Sequence, residues 1–291
     1  MEQNTNEQMQ TSMNPTNPLA QFYRQPKIYI KLPSQGRFYP NGSLDVSSNQ
    51  EYPVYAMTAK DELMFKTPDA LLSGQSTVEI IKSCIPAIKD PWQMPTIDID
   101  FCLMAIRVAT YGSDMEINAI CPKCGDNNPY LINLTDWMGK FGTFQYQDTV
   151  NVDPLSVQIR PYSYKEMTKT ALKSLQQQKL VNLASNEEMS DEEKLEKFSD
   201  GFVKLTALTV EVIADCIVKI ETPDGLTTNK DQIKDFINNC SAEVFDKISK
   251  HVQDIKSQIE LPPQHVKCTG CENEYNVPVA MDQSNFFVAR S

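Results

Sequence analysis

Histidine is almost missing from this chain: only His251 and His265 occur in 291 residues. That excludes a histidine-based metal triad and leaves little material for general-base chemistry. The 10 glycines include no glycine-rich phosphate loop, and there is no nucleophile elbow. Basic residues are short as well. Lys and Arg total 27 against 38 Asp and Glu, and the net charge of −11 opposes non-specific attraction to phosphate backbones and anionic membranes. No stretch approaches the roughly 18 apolar residues of a bilayer span, and the first residues lack the basic start and apolar run of a secretory signal. With a mean hydropathy of −0.40, these absences lead us to expect a soluble protein of the cytoplasm that is not an enzyme. Neither nucleic acid nor membrane is expected as a partner.

Eight cysteines are present. In a reducing compartment they do not read as a disulfide framework, so close pairs read first as metal ligands. Two such pairs exist, Cys121-Pro122-Lys123-Cys124 and Cys268-Thr269-Gly270-Cys271. One Cys-x-x-Cys alone leaves a redox pair open. Four thiolates in two pairs instead satisfy tetrahedral coordination of a structural Zn²⁺ with no position left for water or substrate. Gly125 and Gly270 are expected to supply the left-handed backbone of the two turns. His265, three residues before Cys268, is a weaker ligand candidate. Between Cys124 and Cys268 lie 143 residues, so the zinc ribbon is split by a large insertion, and zinc is expected to hold the fold together by closing it. Cys84, Cys102, Cys216 and Cys240 lack paired spacing and read as small buried apolar residues.

The spacing of apolar residues predicts an α+β fold, mainly helical with short hairpins. Residues 1–26, rich in Asn, Gln, Thr and Pro, read as a flexible arm, in which Leu19, Phe22 and Tyr23 are candidate anchors for a partner. An N-terminal α+β region with the first knuckle follows over 27–161, a helical region over 162–260, and the second knuckle with a tail over 261–291. In the first region Ile28, Ile30 and Leu32 mark a strand. Thr67-Pro68 and Ser73-Gly74 bound one helix, Ser76 and Glu79 make a capping box for a second, and Asp98 caps a third that Gly112 ends. The pairs Asp61-Glu62 and Asp98/Asp100 read as helix-start charges rather than catalytic carboxylates. Phe144, Tyr146, Val150 and Val152, then Val157 and Ile159, predict a hairpin turning at Asp153-Pro154. Ser163 and Glu166 make another capping box, for a helix running to about Ala184. Glu187 to Asp200 reads as an acidic solvated face or linker. Phe202 through Ile220 reads as one helix with a broad apolar stripe. Phe245, Ile248, Val252, Ile255 and Ile259 form a helix-packing seam, ended by Leu261-Pro262-Pro263.

The run from Asn17-Pro18-Leu19 through Arg24-Gln25-Pro26-Lys27-Ile28-Tyr29-Ile30, Leu32-Pro33-Ser34, Gly36 and Phe38-Tyr39 resembles the N-terminus of baseplate hub proteins of contractile-tailed, T-even-like phages. The same family is resembled by Met57-Thr58-Ala59-Lys60-Asp61-Glu62-Leu63, Lys66-Thr67-Pro68-Asp69-Ala70-Leu71-Leu72, Cys84-Ile85-Pro86 and Ile106-Arg107-Val108-Ala109-Thr110-Tyr111-Gly112. The resemblance spans residues 17–165 and continues loosely through the second knuckle to Asn285-Phe286-Phe287. It implies a hub subunit or hub assembly factor, partnered by other hub or tail proteins, present in the host cytoplasm during assembly and then in the virion tail baseplate. It implies no catalytic residues. The alternative class is a zinc-ribbon nucleic-acid-binding or transcription regulatory protein. That reading needs a basic patch around the knuckles, where Lys123 and Lys267 are offset by Asp126, Glu272 and Glu274.

Overall fold

A computed structural model of the chain describes residues 19, 22–65, 74–141, 146–184, 191–259 and 263–277. Among these, eight α-helices and four small antiparallel sheets make an α+β fold with two hydrophobic cores. None of these helices is long and apolar enough to cross a membrane.

The first core is built from the N-terminal half. Strands β1 (Pro26–Ile30) and β2 (Tyr52–Tyr55) pair antiparallel, putting Ile30, Tyr52 and Val54 inward. Helices α1 (Ala59–Phe65), α2 (Gln75–Cys84) and α3 (Thr96–Tyr111) surround them. Ile80, Ile81, Ile85, Leu103, Met104 and Ile106 are wholly removed from solvent, each contributing about 1.5–3 kcal/mol of hydrophobic stabilisation. Strands β3 (Asp114–Ile120) and β4 (Asn127–Asn133) form a hairpin whose base, through Met115 and Ile132, joins this core with Trp137 of α4 (Leu134–Phe141).

The second core sits under a four-stranded sheet of order β5-β6-β7-β8, comprising Thr149–Val152, Leu155–Ile159, Ile217–Thr222 and Gly225–Thr227. Helices α5 (Tyr164–Ala184) and α6 (Asp191–Cys216) form a long antiparallel hairpin, followed by α7 (Lys230–Asn239) and α8 (Ala242–Ile259). Ile248 and Ile255 of the α8 seam are buried in this core with Ile213, Ile217 and Ile233, so the seam serves packing within the chain. The cores meet where Thr96 N donates to Tyr162 O, Tyr164 N donates to Met94 O, and the Trp92 and Tyr164 rings stack at 5.6 Å.

Several local readings hold in detail. Ser163 N donates to Glu166 and Glu166 N to Ser163 Oγ, closing the capping box at α5, and Gly112 caps α3 at φ 91°. Others are corrected. Ser76 and Glu79 do not cap α2: Gly74 in left-handed conformation is its N-cap, and Ser76 Oγ donates instead to Met64 O. Asp98 does not cap α3. It lies in the first turn, fully buried, and accepts from Ser34 N, Ser34 Oγ and Tyr39 OH. The stripe from Phe202 to Ile220 is not one helix, because α6 ends at Cys216 and Ile217–Thr222 becomes β7. The buried Ile213, Cys216, Ile217 and Ile220 keep the i, i+3, i+4, i+7 spacing of a helix across that boundary, so periodicity alone does not reveal it. Thr67-Pro68, Ser73, Phe144, Leu261-Pro262 and Asn285-Phe286-Phe287 lie outside the described residues.

Arg24, in the stretch read as an arm, is fixed. Its guanidinium donates to Ala56 O, Ser83 O and Ser83 Oγ and lies 3.6 Å from the buried Asp61 carboxylate. Leu19, Phe22 and Tyr23 just before it are 60% exposed or more.

Candidate metal centre

Cys121 and Cys124 stand at the turn of the β3–β4 hairpin, and Cys268 and Cys271 at the turn between β9 (Gln264–Lys267) and β10 (Glu274–Val277). The two turns are built alike. Cys121 N donates to Asp126 O and Gly125 N to Cys121 O; Cys268 N donates to Asn273 O and Glu272 N to Cys268 O. Each closes a turn of the same length, and in each the residue after the second cysteine is left-handed. Gly125 does this at φ 80°, but in the second turn the residue is Glu272 at φ 59°, not Gly270. What Gly270 provides is proximity: a Cβ there would lie 2.2 Å from Asp126 Oδ2 of the opposite turn.

The four sulfurs lie within 4.8 Å of one another. Cys121 and Cys271 Sγ are 3.7 Å apart, and Cys124 and Cys268 Sγ 3.6 Å. Sulfurs placed tetrahedrally about 2.3 Å from a central zinc would be about 3.8 Å apart. The cluster therefore has the chemistry and the spacing to hold one metal ion. Its electrostatics agree. Backbone N–H groups, chiefly that of Cys271, hold the Cys268 thiol down to about 6. At Cys124 the Asp126 N–H acts in the same direction, yet desolvation and the neighbouring sulfurs outweigh it and push the thiol up to about 12. Sulfurs this close share negative charge poorly among themselves, and a divalent cation between them removes that conflict.

Around the sulfurs the hairpins clasp each other. Asn128, 1% exposed on β4, accepts from Thr269 N at 3.0 Å and from Thr269 Oγ1, while its amide donates to Asp126 O. Tyr130 OH donates to Lys267 O at 3.2 Å and Tyr275 OH to Ala119 O at 3.4 Å, a reciprocal exchange between hairpins. The sequence marks Tyr130 and Tyr275 only as the start of the apolar run that follows each cysteine pair on a hairpin, and it does not mark Asn128. The signal for them is faint: each falls within six residues of a cysteine pair on a strand whose alternate positions face the partner hairpin.

His265 is not drawn into the cluster; it faces Asn276 and Glu274 across β9–β10. Cys84, Cys102 and Cys216 are buried as expected, whereas Cys240 is only half-buried at the end of α7. Asp61 does lie in the first turn of α1, paired with Thr58 in a capping box as well as with Arg24.

A family model described as T4 bacteriophage base plate protein matches residues 26–288, a span that takes in both cores and all four clustered cysteines. Curated proteins and solved structures give no match. A structural role in the tail baseplate of the virion, in association with other baseplate proteins, follows from the family. Its fold built and its cysteines gathered, the chain belongs to the family of T4 bacteriophage base plate proteins.

Proposed function

We propose that the protein is a component of the central baseplate hub, or a factor in assembling it, and that one structural zinc joins its two hairpins. The family match over residues 26–288 carries this reading, and the resemblance of residues 17–165 to hub proteins narrows it from baseplate to hub. Zinc is favoured by four thiolates at tetrahedral spacing, a donor set that suits it and leaves no open coordination position. The residues that would hold it are Cys121, Cys124, Cys268 and Cys271. Bound there, the ion would supply cross-linking rather than chemistry. The role is non-catalytic: Asp61 and Asp98, the buried acids among the described residues, are engaged by Thr58, Arg24, Ser34 and Tyr39. The protein acts in the host cytoplasm during assembly, through protein contacts and without nucleic acid or membrane, as its net charge of −11 favours.

Two experiments test the reading. Elemental analysis of purified protein should find one zinc per chain, and thiols freely alkylated in a zinc-free native protein would remove the metal. Phage lacking the protein should make heads and other tail proteins yet fail to complete the hub. Normal contractile tails in its absence, seen by electron microscopy, would sink the hub assignment whatever the zinc content.

A further inference from the structure

The four clustered sulfurs differ in exposure. Cys121 and Cys268 are each 1% exposed, whereas Cys124 is exposed and Cys271 half-buried. Water can donate to a sulfur at the surface, but one that carries charge in the interior needs its donors from the protein. At Cys268 such a donor comes from the opposite hairpin: Asn128 Nδ2 lies 3.4 Å from its Sγ. The reciprocal contact, from Asn273 Nδ2 to Cys121 Sγ, is longer at 3.9 Å. The neighbours of the Asn128 amide fix its orientation. Thr269 N–H can only donate, so Oδ1 faces it at 3.0 Å; the Asp126 carbonyl can only accept, so Nδ2 faces that at 3.0 Å. Thr269 Oγ1 also donates to Oδ1, which fills both lone pairs of the oxygen. One amide hydrogen is left for Cys268 Sγ. The sulfur, at 3.8 Å from Oδ1, thus accepts from the nitrogen and does not donate to the oxygen.

We infer that Asn128 is a positioning residue of the metal centre: its amide holds the Cys268 sulfur as an acceptor and fastens the two knuckles through the same group. The inference rests on the proposed zinc site. One buried side chain joins Asp126 O of the first turn to Thr269 N, Thr269 Oγ1 and Cys268 Sγ of the second. A metal-bound thiolate keeps lone pairs for such a donor, so the N–H···S bond persists in the loaded site. There it draws off part of the negative charge that four sulfurs would otherwise place around one ion, and it sets the direction from which Cys268 approaches that ion. The oxygen of Asn128 serves the clasp; its nitrogen serves the ligand.

The test loads the full-length protein with ¹¹³Cd, a thiophilic stand-in for zinc whose nucleus couples to protons on its sulfur ligands and to protons hydrogen-bonded to those sulfurs. The Hβ protons of Cys121, Cys124, Cys268 and Cys271 should correlate with the metal by NMR, and so should one Nδ2 proton of Asn128. Cysteine correlations without the Asn128 one would overturn this inference and leave the metal reading standing; no cysteine correlation would overturn both. Because this measurement uses the parent chain, it holds even where a variant fails to fold. Asn128→Asp keeps an acceptor for Thr269 and removes both N–H donors. It should raise the metal dissociation constant about 10–100-fold and move the sulfur-to-metal charge-transfer band of the Co²⁺-loaded protein to lower energy. Thr269→Val loosens the same clasp without touching the sulfur and should leave that band in place. A band that moves equally in both variants, or in neither, would reduce Asn128 to a structural contact and overturn the inference.

Discussion

At the scale of single residues, the sites that matter most are those where one side chain serves two elements. Asp98 is a helix residue by sequence, yet it fastens the 34–39 loop, whose Phe38 packs on Tyr146 of the second core at 4.7 Å. Burial pushes its carboxyl up to about 6 despite three hydrogen bonds that act the other way. The folded state then binds a proton more readily than the unfolded chain. Between about pH 4 and about pH 6 this group's contribution falls as pH rises, and above that the buried charge is a standing cost. Stability of Asp98→Asn relative to the parent should therefore improve as pH rises from about 4 to about 6 and level off above it, measured by urea unfolding over that range; a difference that does not change with pH would refute the assignment. In the knuckles, Gly125→Ala should cost about 1–2 kcal/mol, because φ 80° is strained for any side chain even though space is open. Gly270→Ala should cost less, since its obstacle is the end of the exposed Asp126 side chain, which can swing away. Equal melting temperatures for the two variants would show that backbone strain does not decide the matter. Asn128→Ala should cost about 1–3 kcal/mol by stranding the Thr269 donors.

Among the elements, legibility followed the range of the interactions involved. Gly112 at the end of α3, the Ser163–Glu166 box and the turn at Asp153-Pro154 were readable because both partners lie within a few residues. The Cys121/Cys124 and Cys268/Cys271 pairs were readable because thiolate spacing is itself a short-range code. Asp98 and Ser76 were misread because their partners, Ser34 and Met64, are 64 and 12 residues away and leave no local trace. The switch from α6 to β7 at Cys216–Ile217 was hidden for another reason: the buried Ile213, Cys216, Ile217 and Ile220 fall at helical spacing straight across it. The placement of the metal centre also bears on stability. Both hydrophobic cores are assembled without the sulfur cluster, so removal of metal by a chelator, or Cys268→Ser, should first release β9–β10. Hydrogen exchange should show residues 264–277 losing protection while α3 and α8 keep theirs. Simultaneous loss everywhere would mean that the clip governs the whole fold.

For the whole molecule, the fixed position of Arg24 divides the N-terminus by role. Residues 1–20 lie ahead of the anchor, so their deletion should soften assembly without unfolding the protein. Arg24→Ala instead strips the buried Asp61 of its cation and should cost about 1–3 kcal/mol, seen as a lower melting temperature; an unchanged one would show the anchor to be incidental. The split metal site has a last consequence, and it concerns time. A ribosome adding 5–20 residues per second would make the second cysteine pair roughly 7–30 s after the first, since 143 residues separate them. During that interval the first hairpin carries two thiols with no means of completing a shell, while the first core gains its last residues, up to Tyr164. If zinc binds as proposed, its capture is thereby deferred until nearly everything between the two cysteine pairs has been translated. A chain broken off anywhere in that interval lacks the second pair and carries the mark of its own incompleteness, an open knuckle in place of a closed one.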